Sequence, residues 1–123
     1  MHIKELFSLE GRCAVVIGGS GKVGFPMAEA LAEAGAKVYI ASRSSKNFQP
    51  IVDKLCSRGL NAEGVVLDQS DEKNVIEVVH AISKDFKAPD ILINSGCSRP
   101  MKNFFHDSID NWDKSMQENS RGM

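Results

Sequence analysis

A glycine-rich segment that directly follows an apolar run constrains the fold of this chain more than any other feature. The run is Cys13–Ile17, and residues 18–24 read Gly-Gly-Ser-Gly-Lys-Val-Gly. A short run rich in β-branched residues predicts a strand buried on both faces. The apolar residues that follow recur at helical spacing as far as Ala34, and Gly35 then ends the pattern. The glycines therefore occupy a strand-to-helix turn.

The same alternation of strand and helix repeats along the chain. Strands are predicted at 13–17, 38–41, 64–67 and 91–93, and helices within 23–34, 48–55, 75–86 and 109–116. A tight turn cannot join two parallel neighbours, so the chain must return along the sheet face as a helix. The pattern therefore predicts an α/β domain whose parallel strands are joined by right-handed crossovers.

Local signals predict where the helices begin and which faces they bury. Asn47 is expected to cap the second helix, Asp68 or Ser70 the third, and Ser108 the last. A cap at Asn47 would leave Pro50 inside the first turn, where proline is tolerated. The residues expected to face the sheet are Val23, Met27, Ala30, Leu31 and Ala34 in the first helix and Val75, Val79, Ile82 and Phe86 in the third. The side chains interpreted as filling of the core or a strand are Cys13, Tyr39 and Cys56.

Charge and composition exclude several classes of protein. The chain has 15 Lys and Arg against 16 Asp and Glu, so a strongly basic nucleic-acid binder is excluded. Its 42% apolar and 25% charged residues are ordinary for a globular domain. Apolar runs fall far short of the roughly 20 residues that cross a bilayer, so no membrane partner is expected. Three widely spaced cysteines predict reduced thiols in the cytoplasm and no metal site.

The spacing of the glycines points to a phosphate-binding turn. Gly19-x-Gly21-x-x-Gly24 satisfies the G-x-G-x-x-G dinucleotide pattern between a strand and a helix. Bare backbone lets a pyrophosphate approach, and the helix N-terminus offers free N–H groups. A nucleoside-triphosphate loop fits less well, because Lys22 is followed by Val23 rather than Ser or Thr. The residues predicted to hold the pyrophosphate are Gly18, Gly19, Ser20, Gly21, Lys22, Val23 and Gly24.

The end of the second strand indicates which nicotinamide cofactor is bound. An NAD site has Asp or Glu there, which accepts hydrogen bonds from the adenosine ribose. This chain has Ser42 and Arg43 instead, with no carboxylate in residues 40–46. A guanidinium pairs well with a phosphate, and a serine hydroxyl can donate to one. The sequence therefore favours NADP(H) over NAD(H), with Arg43 and Ser42 at the 2′-phosphate.

The motifs together resemble those of the short-chain dehydrogenase/reductase family across nearly the whole chain. The segments that carry the resemblance are residues 7–12, the glycine turn, Asp-Ile-Leu-Ile-Asn-Ser-Gly-Cys at 90–97, and Trp-Asp at 112–113 followed by Asn119. The spacing of Gly18, Gly21 and Gly24 is nearer to the family's epimerase-like branch. The 90–97 and 112–119 segments are nearer to its dehydrogenases and reductases, and they cover more residues.

The resemblance implies further site residues and a missing part of the enzyme. The residues that it places at the adenosine half of a cofactor are Asp68, Gln69, Asn94, Ser95 and Gly96. Asn119 would support the proton relay and is the catalytic residue expected here. The family's Ser and Tyr-x-x-x-Lys are expected beyond residue 123, because the single tyrosine, Tyr39, lies in a predicted strand. Residues 1–123 are therefore interpreted as an incomplete NAD(P)-binding domain that ends inside its last helix.

The predicted architecture is a Rossmann-like, doubly wound parallel sheet of four strands in the order 3-2-1-4. The predicted function is an NADP(H)-preferring oxidoreductase that moves a hydride between nicotinamide and the carbonyl or alcohol of a small molecule. A complete form is expected to be a homo-oligomer, whereas this chain alone is expected to bind cofactor without turnover. Two alternatives stay open, namely a non-catalytic nucleotide-binding module and an epimerase-like enzyme acting on a nucleotide sugar.

Overall fold

The computed structural model describes residues 2–96 and 104–121, in which strands and helices alternate. The strands are β1 (Cys13–Ile17), β2 (Lys37–Ser42), β3 (Ala62–Val66) and β4 (Ile91–Asn94). The helices are α1 (Ile3–Leu6), α2 (Gly24–Glu33), α3 (Ser45–Ser57), α4 (Glu72–Ser83) and α5 (Ile109–Met116), with a 3₁₀ turn at Phe104–His106 and a π-helical segment at Gln117–Arg121. Cys97, in the segment that resembles the family motif, lies outside the described residues.

The four strands form one parallel sheet in the order β3-β2-β1-β4. Val15 of β1 is in register with Tyr39 of β2 on one side and with Leu92 of β4 on the other. Tyr39 is in turn opposite Glu63 of β3. The predicted sheet and strand order are confirmed. All four strands therefore end at the same edge of the sheet, where ligands bind in folds of this type.

Helices cover both faces of the sheet. Alternate side chains of the central strands, such as Val16 and Ile40, pack with α2 and α3 on one face. Their neighbours Val15 and Tyr39 pack with Ile82 of α4 on the other face. The central strands are thus buried on both sides, as their continuous apolar runs predict, and the sheet is doubly wound.

Two predicted helix faces are right only in part: Leu31 of α2 and Val75, Ile82 and Phe86 in or after α4 pack on the core as predicted, whereas other positions differ. In α2 the buried residues are Gly24, Ala28 and Ala32, whereas Val23 and Met27 are exposed. Small side chains let this helix lie close to the sheet, so its most buried positions are not its largest apolar residues. In α4 the partly buried residues are Val75 and Val78, and Val79 is 47% exposed. Nearly every position of α4 on that side is a valine or isoleucine, so periodicity alone does not set the angle.

The caps of two helices also differ from the prediction. Ser44 caps α3 by accepting a hydrogen bond from the Lys46 amide, so Pro50 lies inside the helix rather than in its first turn. Asp71 caps α4 through the Lys73 and Asn74 amides. In both cases the capping residue has extended backbone and an oxygen within reach of the N2 amide. The predicted cap of α5, Ser108, is confirmed.

Two of the cysteines have opposite environments. Cys13 is fully buried in β1, as predicted, and burial raises the pKa of its thiol. Cys56 is exposed near the end of α3, so its prediction as core filling is wrong. Its sulfur still donates a hydrogen bond to the Ala62 carbonyl, at 3.3 Å.

Asp90 joins the start of β4 to the start of β1. Its carboxylate accepts a hydrogen bond from the Cys13 amide at 2.8 Å and pairs with Arg12 at 3.3 Å. The Asp90 amide in turn donates to the Cys13 carbonyl at 2.8 Å. The Cys13 amide, and secondarily Arg12, hold the pKa of Asp90 below its ordinary value. A carboxylate with a depressed pKa stabilises the folded chain above its unfolded pKa and loses that effect as the pH falls.

We therefore expect Asp90→Asn to lower the thermal midpoint at about pH 7 and to lower it progressively less as the pH falls below about 4, because protonation removes the charge that distinguishes Asp90 from asparagine. Thermal unfolding followed by circular dichroism across this pH range measures the difference. Asp53→Asn is the control, because it removes the charge of an exposed carboxylate in α3 and keeps an oxygen that can accept the hydrogen bond from Gln49. A midpoint difference for Asp90→Asn that is the same at all pH values would contradict this role.

Gly64 of β3 lies directly under the ring of Phe48 from α3. A Cβ at Gly64 would overlap that ring, and Phe48 is only 5% exposed. We expect Gly64→Ala to lower the free energy of unfolding by about 1–3 kcal/mol through overpacking. The same change should cost clearly less in a Phe48→Leu background, because leucine leaves room for the methyl group. Chemical denaturation of the four variants tests this, and an equal cost in both backgrounds would refute the packing argument.

Candidate functional site

A cleft of about 300 Å³ lies at the carboxyl edge of the sheet. Its walls come from the glycine turn after β1, the end of β2, the loop after β3, the end of β4 and the π-helical segment. The lining residues are Ile17, Gly18, Ser20, Gly21, Ala41, Ser42, Arg43, Asn47, Leu67, Asp68, Gln69, Ser95, Gly96 and Glu118. This is where a doubly wound sheet binds its ligand.

Gly18 is the residue that lets the chain leave β1 and enter the turn. It has a φ of +76°, and its amide donates to the Ala41 carbonyl of β2 at 2.9 Å. A Cβ at Gly18 would lie 2.9 Å from the backbone of Ser95 and Gly96. Both the left-handed backbone and this close approach require glycine. The first wall of the cleft is therefore bare main chain.

The far end of the turn is just as close to its neighbours. A Cβ at Gly24 would overlap the Gly18 carbonyl oxygen and lie 2.6 Å from the Ser95 hydroxyl. That hydroxyl donates to the Ile17 carbonyl at 2.9 Å and ties the end of β4 to the turn. Among the described residues, no side chain caps α2, whose N-cap residue is Val23. The Phe25 amide donates to the Gly21 carbonyl at 2.9 Å and Pro26 has no amide hydrogen, so the start of α2 presents the positive end of its dipole beside the cleft rather than a row of free N–H groups.

The opposite wall carries charge. Arg43 follows β2, and its Nη1 lies 2.9 Å from Oε1 of Glu118 in the π-helical segment. The Arg43 side chain is 54% exposed and that of Glu118 only 13%. Ser42 accepts a hydrogen bond from the Asn47 side chain at 3.2 Å. Arg43 is thus at the predicted end of the cleft, but it already has an anionic partner.

The loop after β3 supplies a second carboxylate. Asp68 accepts hydrogen bonds from the Ser70 hydroxyl at 2.6 Å and the Ser70 amide at 3.0 Å. These bonds, hydroxyl first, lower the pKa of Asp68, and the nearby Arg43 contributes. Asp68 therefore stays ionised at neutral pH and also shapes the turn into α4.

Gln69 and Asn94 form a bridge across the floor of the site. The Asn94 amide nitrogen donates to Gln69 Oε1 at 3.1 Å, and Gln69 Nε2 donates to the Glu118 main-chain carbonyl at 3.0 Å. Asn94 Oδ1 also accepts a hydrogen bond from the Gly96 amide at 3.2 Å. These two predicted cofactor residues therefore hold the ends of β4 and of the chain's last described segment together.

The structure brings most, but not all, of the predicted cofactor residues to the cleft wall. Those that line it are Gly18, Ser20, Gly21, Ser42, Arg43, Asp68, Gln69, Ser95 and Gly96. Those that do not are Gly19, Lys22, Val23, Gly24 and Asn94. Gly19 packs towards Ile40 of β2, and Val23 is 63% exposed. Glycines of the motif thus serve the turn's packing as well as the cleft.

Sequence reasoning missed several lining residues. Ile17, Ala41 and Leu67 stand at or beside strand ends, and the shared edge of a parallel sheet was the signal that could have identified them. Glu118 had no such signal, since it meets Arg43 across 75 residues of sequence. Asn119, the predicted catalytic residue, donates from its side chain to Ser115 at 3.1 Å and is not in the cleft wall.

Tyr39 is buried in β2 and does not line the cleft. Burial, followed by nearby Glu63, raises the pKa of Tyr39 to about 12, and its ring packs edge-on against Phe86. No group of three or more His, Cys, Asp or Glu among residues 2–96 and 104–121 could hold a metal ion. Within the same residues, no helix has the length and apolar character needed to cross a membrane.

The sheet order, the glycine turn and the polar cleft at the carboxyl edge define a nucleotide-binding α/β domain. The family model for short chain dehydrogenases matches residues 12–123. The chain belongs to the short-chain dehydrogenase family, and the predicted family is confirmed.

The similarity extends to characterised relatives and solved structures. Gluconate 5-dehydrogenase of Gluconobacter oxydans (strain 621H) is 36% identical over 122 residues, which cover 97% of this chain and 46% of that protein. The Pseudomonas aeruginosa RhlG/NADP active-site complex superposes with a TM-score of 0.79 at 31% identity, covering 99% of this chain and 45% of that one. A gluconate 5-dehydrogenase from Burkholderia cenocepacia J2315 in complex with NADP and tartrate gives a TM-score of 0.84 at 26% identity, with 98% and 48% covered. The chain thus spans about half the length of these relatives.

The close approach at Gly18 can be tested against a glycine that shares only its backbone angle. Gly11 has a φ of +78° with nothing within 4 Å of an added Cβ, whereas Gly18 has a φ of +76° and the Ser95–Gly96 backbone at 2.9 Å. We expect Gly18→Ala to lower the free energy of unfolding by about 1–3 kcal/mol more than Gly11→Ala. The difference is the cost of the close contact between the added methyl group and the Ser95–Gly96 backbone. Chemical denaturation measures both, and equal losses would contradict the packing of the turn on β4.

Proposed function

We propose that this chain is the cofactor-binding part of an oxidoreductase that prefers NADP(H) over NAD(H). The observation that carries the proposal is a cleft with bare main chain on one wall and Arg43 on the other. Strand β2 ends in Ser42 and is followed by Arg43, so the end of this strand supplies a cation where an NAD site has a carboxylate. Two similar solved structures are described as complexes with NADP, which supports the same cofactor here.

The residues of the cleft suit the successive parts of such a cofactor. Residues 18–24 would hold the pyrophosphate, because backbone amides and an uncapped helix start favour anions. Arg43 and Ser42 would hold the 2′-phosphate, because a guanidinium forms strong charge-assisted hydrogen bonds with a phosphate group. The residues proposed for the adenine and ribose are Asp68, Gln69, Asn94, Ser95 and Gly96. When bound, the cofactor would supply a hydride for exchange with a carbonyl or alcohol carbon.

The reaction of the whole protein is inferred from its relatives. These are dehydrogenases and reductases, which favours a small carbonyl or alcohol substrate over a nucleotide sugar. Asn119 would support a proton relay in which Tyr39 takes no part, because Tyr39 is buried in β2. We place this activity in the cytoplasm, in a homo-oligomer, in keeping with the two free cysteines among the described residues and with the family.

The adenosine half of the cofactor provides the direct test. We expect the chain to bind adenosine 2′,5′-bisphosphate more tightly than AMP, because only the former carries a 2′-phosphate for Arg43. Arg43→Ala should weaken the bisphosphate about tenfold and AMP less than twofold, the loss expected for a charge-assisted hydrogen bond. Isothermal titration calorimetry measures both ligands.

Arg58→Ala is the matched control. Arg58 also pairs with carboxylates, but it lies at the C-terminal end of α3, outside the cleft. It should leave both affinities unchanged. Equal binding of the two ligands by the unaltered chain would remove the NADP(H) preference. Failure to bind either ligand, in a chain that still unfolds cooperatively, would remove the nucleotide-binding function.

A further inference from the structure

Glu118 brings a carboxylate into the adenosine end of the cleft that no strand supplies. Its Oε1 lies 2.9 Å from Arg43 Nη1, and its side chain is mostly buried. Its second oxygen, Oε2, is buried with no hydrogen-bond partner among the described residues. A buried carboxylate oxygen without a donor is costly, so this atom is a ready acceptor for a hydroxyl group.

The main chain that carries this carboxylate is anchored to the ends of two strands. Gln69 donates to the Glu118 carbonyl at 3.0 Å, and Asn94 donates to Gln69 at 3.1 Å. The π-helical segment Gln117–Arg121 is thereby tied to the ends of β3 and β4. Glu118 is therefore a constant part of the wall facing Arg43.

This wall carries one positive and two negative side chains. Arg43 faces two carboxylates, Glu118 in direct contact and Asp68 nearby, and both line the same cleft. A 2′-phosphate carries more than one negative charge. To bind here, it has to replace Glu118 as the partner of Arg43, and it is then repelled by the nearby Glu118 carboxylate. An unphosphorylated ribose has no such conflict, and its 2′-hydroxyl can donate to a carboxylate.

We propose that Glu118 is a specificity-determining residue that restrains the selectivity of this site for a 2′-phosphorylated cofactor by holding Arg43. The inference rests on the proposed function, because it concerns the strength of the NADP(H) preference at the same cleft. Arg43 attracts the 2′-phosphate, Glu118 opposes it, and the difference between the two sets the ratio of affinities.

Glu118→Gln tests this, because it removes the charge and keeps the shape. We expect the ratio of affinities for adenosine 2′,5′-bisphosphate over AMP to rise about fivefold, the upper range for an ion pair with one solvent-exposed partner. Glu29→Gln is the matched control, since Glu29 lies at the same 2.9 Å from Arg58 but outside the cleft. It should leave the ratio unchanged. Calorimetric titration of both ligands gives the ratio for each variant.

Two further variants separate charge from structure. Glu118→Asp keeps the charge and should keep the ratio within about twofold of the unaltered chain. Glu118→Ala should raise the ratio as Glu118→Gln does, so the test survives if one variant does not fold. A ratio that changes less than twofold in folded Glu118→Gln, while the bisphosphate still binds, overturns this inference alone. Loss of binding in every protein, including the unaltered chain, overturns the proposed function with it.

Discussion

The close approach of the glycine turn to the end of β4 is the constraint on which the rest of the structure depends. Gly18 leaves no room for a side chain against Ser95 and Gly96, and Gly24 leaves none against the Gly18 carbonyl. The Ser95 hydroxyl then joins the two segments through the Ile17 carbonyl. Because strands, turn and α2 meet at one point, the cleft opens at the carboxyl edge with main chain as its wall.

Most of the fold could be predicted from the sequence because its signals are local. Apolar runs predicted the strands, and the absence of tight turns between them required parallel pairing through helices. Helix faces and caps were less predictable. Ala28 and Ala32 face the sheet because they are small, and a hydrophobicity pattern ranks them below exposed Met27. Ser44 caps α3 in place of Asn47 because a cap depends on backbone angles that composition does not encode.

The candidate site divides in the same way. The glycine turn, Arg43 and Asp68 follow predicted strands directly, so their meeting at one edge follows from topology. Glu118 does not, because its contact with Arg43 depends on a π-helical segment far along the chain and on the Gln69 bridge. No spacing rule relates residues that come together in this way. Sequence reasoning therefore found the cation of the site and missed the anion that balances it.

The two walls of the cleft differ in how far they can be altered. At Gly18 and Gly24 in the main-chain wall, a Cβ atom would collide with neighbouring backbone. A substitution there therefore disturbs the packing of β1, β4 and α2 together. The charged wall depends on side chains that extend from Arg43 and Glu118, and half of the Arg43 side chain is exposed to solvent. A change of charge at Glu118 leaves the turn intact. Under the proposed function, phosphate binding would depend on the backbone of the turn and cofactor choice on the Arg43–Glu118 ion pair, so the two properties would be physically separable.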